Sequence, residues 1–289
     1  MQTTKRSSGI SLLEVLAAVF VVSIGLLGVL AVIPFGAFQI SKAQHAEYAS
    51  NMLANAAAIV VIREMAMPTE WGGTPWDDTE FVWVEPRKPT TMSAIQHIIR
   101  IDAAVDPNGD WAELMRGEDD LVYTTHDHRR PDFSGQGGVI QSSGRYTWFF
   151  TFKPEAAVDE VPVDVLACFN RIPEEDRQVS IPPGAFSPSR RGGTFSLPTS
   201  EHSELLSQTR YVFVTWEETA TPNLVDNGAW CRIIFVDRSS PPGLRIIVTG
   251  ALPNLNEQDA GGSPIYTNIH VYIPSGVLYH KRVADVPIR

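Results

Sequence analysis

The chain has 289 residues, 44% of them hydrophobic, enough to bury a core and suited to one or two domains. Against 33 acidic residues stand 23 basic ones, a formal charge of −10 with no long basic run, so the composition gives no footprint for a nucleic-acid partner. Two cysteines, Cys168 and Cys231, are too few for a disulfide scaffold or a multi-cysteine zinc site.

Met1 to Gly9 forms a short polar leader carrying Lys5 and Arg6. From Ile10 to Phe38 the one charge is Glu14, and the only other polar side chains are Ser11 and Ser23. About 20 apolar residues at ~1.5 Å rise cross the ~30 Å hydrocarbon core, so residues 10–38 read as a transmembrane helix. A secretory signal would have an apolar core of ~7–15 residues ending at small residues. This run is about twice as long and passes unbroken into a further helical pattern, which favours an anchor. The two leading positive charges place the N-terminus in the cytoplasm and everything after the helix outside the inner membrane.

Ala49, Met52, Leu53, Ala56, Ala57 and Val60 fall at i, i+3, i+4, i+7, i+8 and i+11, an apolar stripe of helical period. Residues 39–67 therefore read as an amphipathic continuation of the same helix, stopped by Pro68 and Trp71-Gly72-Gly73. Pro34, flanked by Gly28 and Gly36, is expected to kink or locally melt the rod. Two readings stay open: a proline tolerated by a membrane helix, or a joint used during packing.

Residues 68–289 read as a β-rich domain outside the membrane. Segments 81–84, 96–101, 146–152, 162–169, 211–216, 231–236, 244–248 and 269–273 are short, rich in β-branched or aromatic residues, and bounded by Gly, Pro, Asn or Asp. No helical segment interrupts them, which favours an antiparallel sheet. Residues 105–144 and 173–207 are expected to be long surface loops, the second with little to bury. The fold class is α+β: a long helix, first transmembrane and then amphipathic, packed on a mainly antiparallel sheet.

The segment Gly9-Ile10-Ser11-Leu12-Leu13-Glu14-Val15, continuing to Ser23-Ile24-Gly25-Leu26-Leu27-Gly28, carries the most specific signal. It resembles the N-terminal signature of type IV pilins and type II secretion pseudopilins: a glycine, an apolar residue, Ser or Thr, two apolar residues, then Glu. The continuation looks most like the minor pilins of the PilV type. The resemblance covers about 30 residues and implies a pilin-like fold and no enzymatic activity. It further implies cleavage between Gly9 and Ile10 by a prepilin peptidase, and N-methylation of Ile10. Glu14, fifth after the cut, would pair with the new amine of a neighbouring pilin or pseudopilin subunit. The energetics agree, because a carboxylate in a membrane helix costs ~2.5–3.5 kcal/mol even on permissive scales. Ile10 stands where Phe is commonest, and Pro34 lies a few residues beyond the usual pilin proline. Sequence does not separate a pilus subunit from a secretion pseudopilin. The rival from another class is an uncleaved, single-pass binding protein or adhesin.

Weaker signals lie in the outer domain. A disulfide between Cys168 and Cys231 would contribute about 4 kcal/mol in the chain-entropy model, and two buried free thiols are the equal alternative. Asp106-Pro107-Asn108-Gly109-Asp110 resembles the opening of a calcium loop, but Trp111 and Gly117 replace the needed glycine and glutamate, so a plain turn is favoured. His126-Asp127-His128 lacks a second ligand cluster and reads as an exposed loop. No metal or other cofactor is expected, and no hydrolase, phosphate-loop or dinucleotide motif occurs. The seven tryptophans read mostly as core.

Overall fold

The computed structural model of the chain describes residues 12–67, 80–86, 98–103, 115, 146–154, 158–182, 184–198, 203–219, 226–239 and 243–288. Its first element, α1 (Leu12–Ile62), is a helix of 51 residues, roughly 77 Å long at ~1.5 Å per residue. It runs without interruption through Pro34, so the expected local melting does not occur. Proline removes a single N–H donor there, and the turns on either side keep their own bonds.

The chain divides into two compact units, Met1–Tyr48 and Ala49–Arg289, with the boundary inside α1. The last turns of the helix thus belong with the β-rich domain. The buried residues of α1 are Ala49, Met52, Leu53, Ala56, Ala57 and Val60, the same six that the periodicity selects. The helix ends earlier than Pro68, which lies outside the described residues with Trp71 to Gly73. Glu64 adopts a left-handed conformation at φ 51°. Its N–H donates to Val61 O (3.2 Å), and that of Met65 donates to Val60 O (3.1 Å). This pair of bonds is a Schellman closure, sealed by apolar contact surface because Val60 and Met65 are both fully buried.

Twelve strands follow in the described chain: β1 (Phe81–Glu85), β2 (Ile98–Asp102), β3 (Tyr146–Phe152), β4 (Glu160–Phe169), β5 (Arg177–Ser180), β6 (Phe186–Ser189), β7 (Gly192–Leu197), β8 (Tyr211–Glu218), β9 (Asp226–Asp237), β10 (Leu244–Thr249), β11 (Tyr266–Ile273) and β12 (Val277–Pro287). A short helix, α2 (Leu205–Gln208), precedes β8. One sheet has the order β12-β4-β3-β1-β2 and the other β5-β11-β8-β9-β10-β7-β6. Every pairing is antiparallel except β1 with β2.

The eight segments expected to be strands all coincide with strands. Residues 173–207, expected to be a loop with little to bury, are instead a 3-10 turn (Pro173–Glu175), β5, β6, β7 and α2. Val179, Ile181, Phe186, Phe195, Leu197, Leu205 and Leu206 from this stretch are buried. Pro188 and Gly193 suit the strands they stand on. Pro188 sits on β6, an edge strand that has no second partner for an N–H. A Cβ added to Gly193 would lie 2.1 Å from the Phe186 ring, so the bare backbone makes room for that side chain. Residues 105–144 lie outside the described residues apart from Met115, and so do the calcium-loop and His126 to His128 segments.

Side chains are buried on both faces of the larger sheet. Between the sheets, Trp83 of β1 stacks on Phe149 of β3 (centroids 4.8 Å) and meets Trp230 of β9 (5.3 Å), Tyr272 of β11 (4.8 Å) and Phe213 of β8 (6.2 Å). The other face of the larger sheet buries Val212, Val214, Cys231, Ile246, Val248, Ile269 and Val271 with Leu205, Leu206 and Leu255. Trp83, Trp148, Trp216 and Trp230 are buried as expected. The other three tryptophans lie outside the described residues.

Candidate functional site

Two features of the described chain stand out chemically: the bare first part of α1 and a buried cluster of charge.

In the Met1–Tyr48 unit, α1 presents apolar side chains on every face. Leu12, Leu16, Phe20, Val22, Leu27, Ile33 and Phe35 are each more than half exposed, and the most apolar 18-residue window contains no buried residue. Covering a side chain of this size stabilises by roughly 1.5–3 kcal/mol, so the helix needs lipid or other helices around it. By length and composition it is apolar enough to cross a membrane. Glu14 stands in its first turn. Ser23 donates its hydroxyl to Val19 O at 2.7 Å, which satisfies a polar group that hydrocarbon could not. Gly9 and Ile10 lie outside the described residues.

The second feature lies wholly within the Ala49–Arg289 unit. Glu85 ends β1, Arg100 stands on β2, Arg171 follows β4, and Asp176 caps the 3-10 turn. Their side chains are 1%, 5%, 4% and 0% exposed, far below what unpaired charges tolerate. Arg100 Nε donates to Glu85 Oε1 at 2.6 Å, and its Nη2 to Asp176 Oδ2 at 3.0 Å. Arg171 Nη2 bridges Glu85 Oε2 (3.0 Å) and Asp176 Oδ2 (2.7 Å), while its Nη1 bonds Asp176 Oδ1 and Ser275 Oγ. Asp176 also accepts from the Tyr272 hydroxyl (2.7 Å) and the Ser275 N–H (2.8 Å). Arg100 lies over Trp83 and Arg171 over Phe149, at 5.4 and 5.1 Å from the centroids.

Two arginines and two carboxyl groups meet in this cluster, and at Glu85 burial outweighs Arg171 and Arg100 and raises the carboxyl above its usual range. Burial raises the Asp176 carboxyl, but Arg171 and Arg100 overcome it and hold the group below its usual range. Burial and the Asp176 charge push the Tyr272 hydroxyl well above its usual range. Arg171 Nε is the one guanidinium nitrogen of that residue left without a partner. The Asp176 carboxylate accepts five bonds, enclosed from solvent, which leaves it no spare lone pair. The cluster ties β1, β2, β11 and the β4–β5 connection together.

Sequence reading missed this cluster. Its signal was present in Arg100, a charge inside Ile98-Ile99-Arg100-Ile101, where only a paired group is affordable. Cys168 and Cys231 stand on strands of different sheets, and both are buried free thiols, so the disulfide alternative is not realised. Burial pushes the Cys231 thiol up to about 12 and moves Cys168 further in the same direction. Among the described residues, no three His, Cys, Asp or Glu side chains are grouped to hold a metal ion. No family model, curated protein or solved structure matches the chain.

Proposed function

We propose that the chain is a pilin-like subunit, cut after Gly9 and assembled through α1 into a type IV pilus or a type II secretion pseudopilus. Its size suits a minor or priming subunit. The observation that carries this reading is the composition of α1 up to Phe38: an all-round apolar surface with one carboxylate, Glu14, five residues beyond Gly9 of a Gly-Ile junction. A tether alone needs no buried charge at that depth, whereas a helix bundle gains register from one that pairs with a neighbour's N-terminal amine.

In this mechanism a prepilin peptidase releases the leader and methylates Ile10. Subunits then leave the inner membrane by exchanging lipid for one another's helices. Glu14 fixes the axial offset, and Pro34 is the position at which the packed helix can bend. The Ala49–Arg289 unit stays outside the cytoplasm, and no substrate is turned over.

Intact-mass and N-terminal peptide analysis of the chain from its native membrane fraction tests the proposal. The expected chain begins at methylated Ile10, and Glu14→Ala abolishes its incorporation into filaments. A chain that keeps Met1 in cells with active peptidase overturns the reading. It would promote the single-pass binding protein, for which Glu14→Ala is silent.

A further inference from the structure

On the larger sheet, apolar side chains of the face that carries Trp230 are not all covered. β9 pairs with β10 through a bulge at Ile247/Val248, where Phe235 and Ile233 take successive partners and Ile234 is extra. Ile233 and Val236 turn into the core, so Ile234 and Phe235 both turn out, 63% and 55% exposed. Phe235 stands directly across from Ile247, itself 37% exposed. Arg232, Arg238 and Arg245 surround this patch and are exposed, and Arg210 is exposed at the start of β8.

The opposite end of the same strands is acidic. Glu218 ends β8 and pairs with Tyr266 at the start of β11. Glu257 and Asp259 lie on the adjoining loop, whose Ile265 N–H donates to Glu257 O while Thr219 N–H donates to Ile265 O. No basic residue occurs from Glu217 to Gly228 or from Ala251 to Asn268. Pro264 is exposed there, and Ile265 and Tyr266 are half-buried. Six strand residues at ~3.3 Å each separate Asp226 from Arg232, roughly 20 Å, more than twice the ~8 Å screening length at physiological salt. Within one molecule the two poles therefore do not neutralise each other.

We propose that the Ile234–Phe235–Ile247 patch with its arginines docks the acidic pole of a second copy of this chain. The contact joins two different surfaces, so it is heterologous and runs head to tail. Its apolar centre would meet Pro264, Ile265 and Tyr266, with arginines facing Glu218, Glu257 and Asp259 around the rim, an arrangement of apolar core and charged rim usual for interfaces. The inference stands on the charge pattern of one sheet and does not depend on how α1 assembles.

Photo-crosslinking of the full chain in detergent micelles tests it, with p-benzoylphenylalanine placed at 235. At about 0.01 M salt, where screening extends to ~30 Å, the expected adduct joins position 235 of one copy to a peptide within 252–268 of another. Raising salt to about 1 M should cut the yield severalfold. The double change Arg232→Glu with Arg245→Glu should lower it about tenfold, and pairing that variant with a copy carrying Glu218→Arg and Glu257→Arg should restore it. The acidic-pole variant alone should show the same loss, which keeps the test sound if one variant misfolds. Oligomers held only by α1 would crosslink without regard to these charges. Adducts that are insensitive to them, that join 235 to 235, or that map elsewhere overturn the proposal, as does the absence of adducts.

Discussion

Burial moves the thiols of Cys231 and Cys168 upward, Cys231 to about 12, while the same groups ionise near ~8.5 in an unfolded chain. As pH rises past that lower value, the unfolded chain releases protons that the folded chain keeps. A folded pKa above the unfolded one gives stability that is complete below about 8.5 and is lost as pH climbs towards the folded value. Between about pH 8.5 and 10 each thiol should therefore cost about 1.4 kcal/mol of stability per pH unit, before Tyr272 adds a loss of the same sign from ~10 upward. Urea unfolding of the full chain at pH 7, 9 and 10 checks this, and the Cys168→Ala, Cys231→Ala double variant should flatten the slope. Neither thiol should react with a thiol reagent at pH 8 until denaturant is added. The sequence left open whether these cysteines bond, because spacing along a chain says nothing about which sheet each strand joins.

At the scale of elements, legibility followed the strength of the periodic signal. The α1 stripe was readable because its apolar residues repeat at 3.6, and the eight strands because each is a short run of β-branched and aromatic residues bounded by turn formers. β6 and β7 were not, since a hairpin of four and six residues rich in Ser, Pro and Gly resembles a loop until the ring of Phe186 is seen filling the space over Gly193. β12 was missed because His280, Lys281 and Arg282 interrupt it, as an edge strand with one solvated side allows. The charge cluster was beyond sequence for a different reason: its members come from β1, β2 and both sides of the β4–β5 connection, and only the folded sheets bring them together. Removing one member should cost more than removing a pair. Asp176→Asn leaves Arg171 under-compensated in a dry site and should destabilise by about 3–5 kcal/mol. Glu85→Leu combined with Arg100→Met deletes opposite charges together, and its cost should fall short of the sum of the two single changes. Chemical denaturation of the four chains in a double-mutant cycle measures that shortfall. Strict additivity would mean that these charges do not act as a unit.

For the whole molecule, the informative line is the boundary between Tyr48 and Ala49, which cuts α1 without interrupting it. Sequence divided the helix by polarity near Phe38, where the apolar run ends. The fold divides it by burial, because Ala49, Met52, Leu53, Ala56, Ala57 and Val60 are as enclosed as the interior of either sheet. Those six side chains, with the closure at Glu64 and Met65, make the last turns of α1 part of the β-rich domain's core. A chain that begins at Tyr48 keeps all of them. It should therefore stay in solution without detergent and unfold in one cooperative step at the midpoint the full chain shows in micelles. A chain that begins at Arg63 loses the whole stripe and uncovers the apolar surface it met. Deleting even one such side chain, as in Leu53→Ala or Met52→Ala, should cost about 2–5 kcal/mol, so removing all six exceeds the ordinary stability of a domain. Circular dichroism melts of the two truncations decide the point. Equal midpoints would show that the stripe is passenger surface, whereas loss of the transition in the shorter chain alone would show that the anchor and the domain share one helix because the domain cannot fold without it.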